Sequence, residues 1–203
     1  MLFRSDIGKD LTFTGQQILN LPKQINDQRF YEVRGEMLIF ADDLEEVNKL
    51  RIDRGERPYM NARNAAAGIS QTKDASKVRD LRLSVIAYDV FTTEGDFESH
   101  AQKLAWLSMQ GFTVPEYVIV PTQVSKESLQ GILQKFENRR FSLGYDVDGM
   151  VAMVNECEVR DDLGYTSEVP DYAFAFKFKD IELSFDFFGF WYRCFTYCYL
   201  TFC

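Results

Sequence analysis

Thiols and imidazoles are scarce in this chain. Only Cys157 falls within residues 1–180, and His100 is the sole histidine. Structural zinc sites draw four ligands largely from those two residue types, so this stretch carries no zinc-finger pattern. So few cysteines suit a reducing cytosol, and a cytoplasmic location is expected. The other three cysteines, Cys194, Cys198 and Cys203, crowd the last ten positions in a C-x3-C-x4-C spacing that matches no standard zinc pattern. A positive excess is missing too. The net charge of −8 argues against a free-standing nucleic-acid binder. It leaves room for a catalytic module whose DNA grip lies on other domains. The opening, "MLFRSDIGKD", has no apolar core of the kind a secretory signal needs. No apolar run is long and clean enough for a membrane span, and no membrane partner is expected.

What is present reads as globular. With 203 residues, 46% hydrophobic and 27% charged, the chain can bury one ordinary core, or one and a small part of another. "TGQQILNLP" reads as a short helix stopped by Pro22, and 29–40 as a strand with Glu32, Arg34 and Glu36 on one face. "ADDLEEVNKLRIDRG" is a helix opened by Asp42 or Asp43 and closed at Gly55. "NARNAAAG" suggests a helical turn, 81–91 a strong strand, 97–110 an amphipathic helix and "EYVIV" a strand. Ser125 to about Arg140 reads as a helix, and 147–155 and 171–179 as strands. Helices outside sheets without a regular βαβ rhythm predict an α+β fold. His100, on a helix expected at the surface, reads as solvated.

The tail breaks this style. Ten of the nineteen residues in "FDFFGFWYRCFTYCYLTFC" are aromatic, interrupted by Gly189 and Arg193, without polar alternation. The chain therefore divides into residues 1–180 and an atypical aromatic, cysteine-rich tail, 181–203. The tail reads as a truncated or frame-shifted C-terminus.

Four short stretches carry chemistry. In "EVRGEM", Gly35 clears room beside the Glu36 carboxylate, which suits sugar hydroxyls; a solvated cross-strand Glu–Arg pair is the plainer reading. In "NARNAAAG", small residues leave the Arg63 guanidinium unscreened, a natural phosphate clamp, or else pack a helix tightly on a sheet. "DVDGMV" is either a hairpin turn or a site where Asp148 serves a divalent cation. In "FAFKFK", Lys177 either snorkels to water or meets a phosphate.

Taken in order, these stretches resemble the adenylation (nucleotidyltransferase) domain of NAD-dependent DNA ligases, from about Arg4 to Lys179. "LGYTSEVPDYAFAFKF" is similar to that family's LGxTxxxPxWAxAxKF segment, with Tyr172 at the tryptophan position, and "IGKDLT…ILNLP" to its xGEDxTxN…IxxIP segment. The resemblance implies the DNA-ligase nucleotidyltransferase fold, unrelated to ATP-grasp, with antiparallel sheets and surrounding helices and incomplete at its N-terminus. It implies lysine adenylation from NAD, transfer of AMP to a 5′-phosphate, and sealing of nicks in duplex DNA in replication and repair, with magnesium. Glu36 would then meet the adenylate ribose, and Arg63 the phosphate. Arg140 would add positive charge, Lys177 would contact the α-phosphate, and Asp148 would lie near the metal.

Three departures stand beside that likeness. The family's nucleophile sits in Lys-x-Asp-Gly, and none of these lysines is followed two residues later by aspartate. A second family arginine falls on Gln71, and a family lysine falls on Met153. The expectation is a partial adenylation domain without a catalytic nucleophile, inactive alone, with a second polypeptide supplying the missing part. The alternative is a degenerate, non-catalytic module that binds nucleic acid or a protein. A third reading, an ATP-dependent ligase or capping enzyme, is disfavoured by "NARNAAAG".

Overall fold

A computed structural model describes residues 10–62, 65–66, 75–93, 95, 97–166, 169–178 and 197–202. It is α+β, with small sheets flanked by helices. The first sheet pairs β1 (Tyr31–Leu38) with β2 (Ser84–Thr92) in antiparallel register. A bulge between Arg34 and Gly35 sets Arg34 opposite Asp89 but Gly35 opposite Ala87, so Tyr88 is the extra residue. Gly35 permits the tight passage: a Cβ there would lie 2.8 Å from both Ile86 O and Val85 Cγ2.

One end of this sheet is covered by α1 (Thr12–Gly15), α2 (Ala41–Asp53) and α3 (Ala75–Asp80), around a core of Ile18, Ile39, Val47, Val78 and Leu83. The other is covered by α4 (His100–Met109), whose Leu104 and Leu107 meet Ala87 and Val90. The helix expected across "TGQQILNLP" is shorter and earlier, ending at Gly15. Residues 19 and 20 turn instead to the start of β2: the Leu19 amide donates to O of Leu83, just before the strand, at 2.8 Å, and Asn20 bonds both backbone groups of Val85. Likewise α2 starts without a side-chain cap. Asp42 and Asp43 lie in its first turn, where acids complement the helix dipole, and Asp43 also binds Arg82 at 2.6 Å.

The second sheet has the order β3 (Tyr117–Val120), β8 (Tyr197–Phe202), β4 (Gly149–Val154), β7 (Ala173–Lys177). β4 and β7 are antiparallel, while β8 runs parallel to both its neighbours. Packed on it is α5 (Lys126–Arg139), capped by Ser125, whose Leu129, Ile132, Leu133 and Phe136 make an i, i+3, i+4, i+7 stripe over Val120, Val147, Met150 and Ala152. A short α6 (Cys157–Leu163) and a two-residue ladder of β5 (Tyr165–Thr166) with β6 (Val169–Pro170) precede β7. No described helix is long and apolar enough to cross a membrane.

Among the described residues, backbone hydrogen bonds tie the sheets at more than one place. The Ala41 amide donates to Gly144 O at 2.8 Å, joining the end of β1 to the approach to β4. At the far end of β4, the His100 amide donates to Asn155 O at 2.8 Å, and Cys157 to Glu98 O at 2.9 Å.

Candidate functional site

Asp-Gly here is no hairpin turn. Asp148 leads directly into β4, whose antiparallel partner β7 lies more than twenty residues on. Gly149 is required by packing: a Cβ would stand 2.0 Å from Phe176 O, so only glycine lets the strands meet. That pairing sets Lys177 opposite Gly149, while the Phe178 amide donates to Asp148 O at 2.9 Å. Arg140, on the 3-10 turn Arg140–Ser142 after α5, lays its guanidinium 5.6 Å from the Phe178 ring centroid and 4.7 Å from that of Phe141. Its Nε is buried without a hydrogen-bond partner among the described residues. Arg140 thus lies against Phe178, the backbone partner of Asp148, whereas Lys177 is level with Gly149 and, by strand alternation, on the other face of the β4–β7 ladder.

Alternation along β4 puts Gly149, Val151 and Met153 on one face, in register with Lys177, Ala175 and Ala173. Met153, 9% exposed, thus shares the face that carries Lys177. Arg63 and Gln71 lie outside the described residues.

Glu36 stands on the first sheet, opposite Ile86 on the face that also carries Glu32 and Arg34. Its electrostatic neighbour is Tyr88, a residue that the sequence reading passed over. Burial, then the Glu36 carboxylate, pushes the Tyr88 hydroxyl up to about 12. No periodic pattern could expose Tyr88, since its placement depends on the bulge.

Next to this face lies a buried polar cluster. Lys103 Nζ is 2.9 Å from Asp89 Oδ1 and 4.2 Å from the Phe91 ring centroid. Arg160 places Nη1 3.4 Å from His100 Nδ1 and its guanidinium 5.4 Å from the Tyr172 ring centroid. His100, expected to be solvated, is 1% exposed. It shares the stripe 100, 103, 104, 107 with the two leucines, a spacing that was legible in the sequence. Burial, then the charges of Arg160 and Lys103, hold its imidazole well below the usual range.

Comparison with known proteins assigns the chain. Residues 4–181 match the model of the NAD-dependent DNA ligase adenylation domain. The DNA ligase of Halothermothrix orenii is 35% identical over 173 residues, 85% of this chain and 25% of that protein. That of Clostridium kluyveri is 36% identical over 175 residues, 85% and 26% of the two chains. That of Brachyspira hyodysenteriae is 33% identical over 177, 87% and 26%. The chain thus spans about a quarter of the length of the curated relatives it matches. On a match running from residue 4 to residue 181, this chain belongs to the NAD-dependent DNA ligase adenylation-domain family.

Proposed function

We propose that residues 1–180 are a partial adenylation domain of the ligase nucleotidyltransferase fold, followed by an atypical tail at 181–203. It retains one side of an adenine-nucleotide site and acts only with a second polypeptide that brings the nucleophilic lysine. The observation that supports this reading is the place of Lys177 and Asp148 at the Gly149 end of the β4–β7 ladder, with Arg140 against Phe178 on the other face. In it, Lys177 meets phosphate, Arg140 adds positive charge nearby, Arg63 adds a further clamp, and Glu36 accepts hydrogen bonds from the ribose. The buried Arg140 Nε without a described partner supports an anionic ligand there, since buried donors are otherwise satisfied. NAD as nucleotide donor, nicked duplex DNA as substrate and a cytoplasmic setting follow from the same reading.

Magnesium fits less well. Among the described residues no three His, Cys, Asp or Glu side chains converge to hold a metal, so phosphates and water would have to complete the shell around Asp148. The second reading, a non-catalytic binding module, is favoured by Met153, an apolar buried side chain on the face that carries Lys177.

Incubation with NAD and magnesium followed by intact mass is the test. The expected result is no added AMP on this chain alone, and weak AMP binding that Lys177→Ala and Glu36→Gln each reduce. A mass gain of one AMP would overturn the inactivity. AMP binding indifferent to both substitutions would overturn the site.

A further inference from the structure

The strand between β3 and β4 is the part of the second sheet that the family match does not reach. β3 and β4 fall within residues 4–181, whereas β8 begins at Tyr197. Yet β8 holds an interior position, parallel to β3 from Tyr199 to Phe202 and to β4 from Tyr197 to Phe202. Neighbouring strands stand about 4.8 Å apart, so β3 and β4 are roughly 10 Å from one another and cannot pair directly. Among the described residues β3 has no strand partner other than β8. Without it, the facing edges of β3 and β4 would present unpaired amides and carbonyls beside the core of Val120, Met150 and Ala152.

The tail's composition fits that place. An interior strand of a sheet that a helix covers on one face, as α5 does here, reads as a run apolar at alternate positions. "YCYLTF" is such a run. Its register sets positions 198, 200 and 202 level with Met150, Ala152 and Val154, and cysteine, leucine and phenylalanine are the residues at those positions. A slip of one residue would set tyrosine and threonine there instead.

We propose that the β3–β4 gap is a strand-acceptor slot, and that residues 197–202 fill it from within the same chain. In the longer relatives, which match 173–177 residues of this chain, the slot would then be filled by a segment outside the matched family domain. The tail is then a self-supplied substitute, and a donor strand from a second polypeptide would have to displace it. This rests on the chain's being part of a longer domain and not on the nucleotide site, so its test needs no nucleotide.

Disulfide trapping tests it in the full chain. Cys157, Cys194 and Cys203 are replaced by serine, Cys198 is kept, and Met150→Cys is added at its register partner. Neighbouring strands bring such pairs within disulfide reach. Mild oxidation is expected to give an intramolecular 150–198 bond, mapped by peptide mass. A control without native cysteines carries Ala152→Cys and Phe174→Cys, register partners in β4 and β7. Closure of the control without the 150–198 bond would overturn the proposal, as would a 150–198 bond found only between two molecules. Hydrogen exchange gives the second readout: ending the chain after Asp180 should abolish amide protection across Tyr117–Val120. Protection equal to that of the full chain would count against the slot.

Discussion

Single residues here do work that their types alone would not suggest. Gly149 is demanded by proximity: with Phe176 O 2.0 Å from where a Cβ would sit, Gly149→Ala must push β7 away from β4. A loss of about 1–3 kcal/mol, as in other overpacked interiors, is expected in urea unfolding, and an unchanged midpoint would contradict the packing. His100 makes a pH-dependent prediction. Its imidazole stays neutral in the folded chain because burial, Arg160 and Lys103 all depress its proton affinity. The unfolded chain takes up that proton as pH falls through about 6.5. Below that point the unfolded state binds more protons, so stability is fully present above about pH 6.5 and declines beneath it, by at most about 1.4 kcal/mol per pH unit. Since this is the only histidine, His100→Asn should flatten the slope between about pH 7 and pH 5. Urea midpoints across that window check it, and equal slopes in the two proteins would refute the buried neutral imidazole.

Elements hold together through a few local devices of unequal weight. Ser125 Oγ accepts from the Ser128 amide at 3.2 Å, and Ser125→Ala should cost about 1 kcal/mol as a lost helix cap. Asn20 matters more: its side chain donates to Val85 O and Thr113 Oγ1 and accepts from the Val85 amide, at 2.8, 2.9 and 2.8 Å. Asn20→Ala should cost roughly 2–3 kcal/mol, since it leaves part-buried backbone groups unsatisfied. Thermal unfolding of the two variants side by side tests the ranking. The same contrast explains what could be read in advance. The strands at 29–40 and 81–91 and the helices near 41–55, 97–110 and 125–140 were legible because periodicity and capping are local signals, and they survive as β1, β2, α2, α4 and α5. The expected helix through Leu19 and Asn20 was not, because those residues bond to β2 more than sixty positions away. The bulge that displaces Tyr88 and the clash that requires Gly149 are equally non-local. Of the candidate site, Asp148 and Lys177 could be named from the motifs, but only the β4–β7 register brings both to the Gly149 end of one ladder.

At the scale of the whole molecule, the balance between ancestry and activity turns on Met153. It lies on the face of β4 that pairs with the Lys177 face of β7, four residues from Gly149, and is buried. A nucleotide bound on that face would present phosphate to an apolar thioether and gain nothing from it, whereas a lysine would supply an opposite charge in a poorly hydrated place. Met153→Lys should therefore separate stability from binding. Without ligand the buried ammonium costs desolvation, and the variant should be less stable than the parent by about 1–3 kcal/mol. With AMP that cost is offset by the phosphate, so AMP should raise the unfolding temperature of the variant more than that of the parent, and bind it about tenfold tighter by calorimetry, equivalent to about 1.4 kcal/mol. Neither protein should acquire covalent AMP from NAD, because a phosphate clamp does not replace a nucleophile and no Lys-x-Asp-Gly stands in these 203 residues. Equal AMP affinity in parent and variant would remove position 153, and with it this face of the β4–β7 ladder, from the nucleotide site. A selective gain would place position 153 beside the bound phosphate and show that this face lacks only charge.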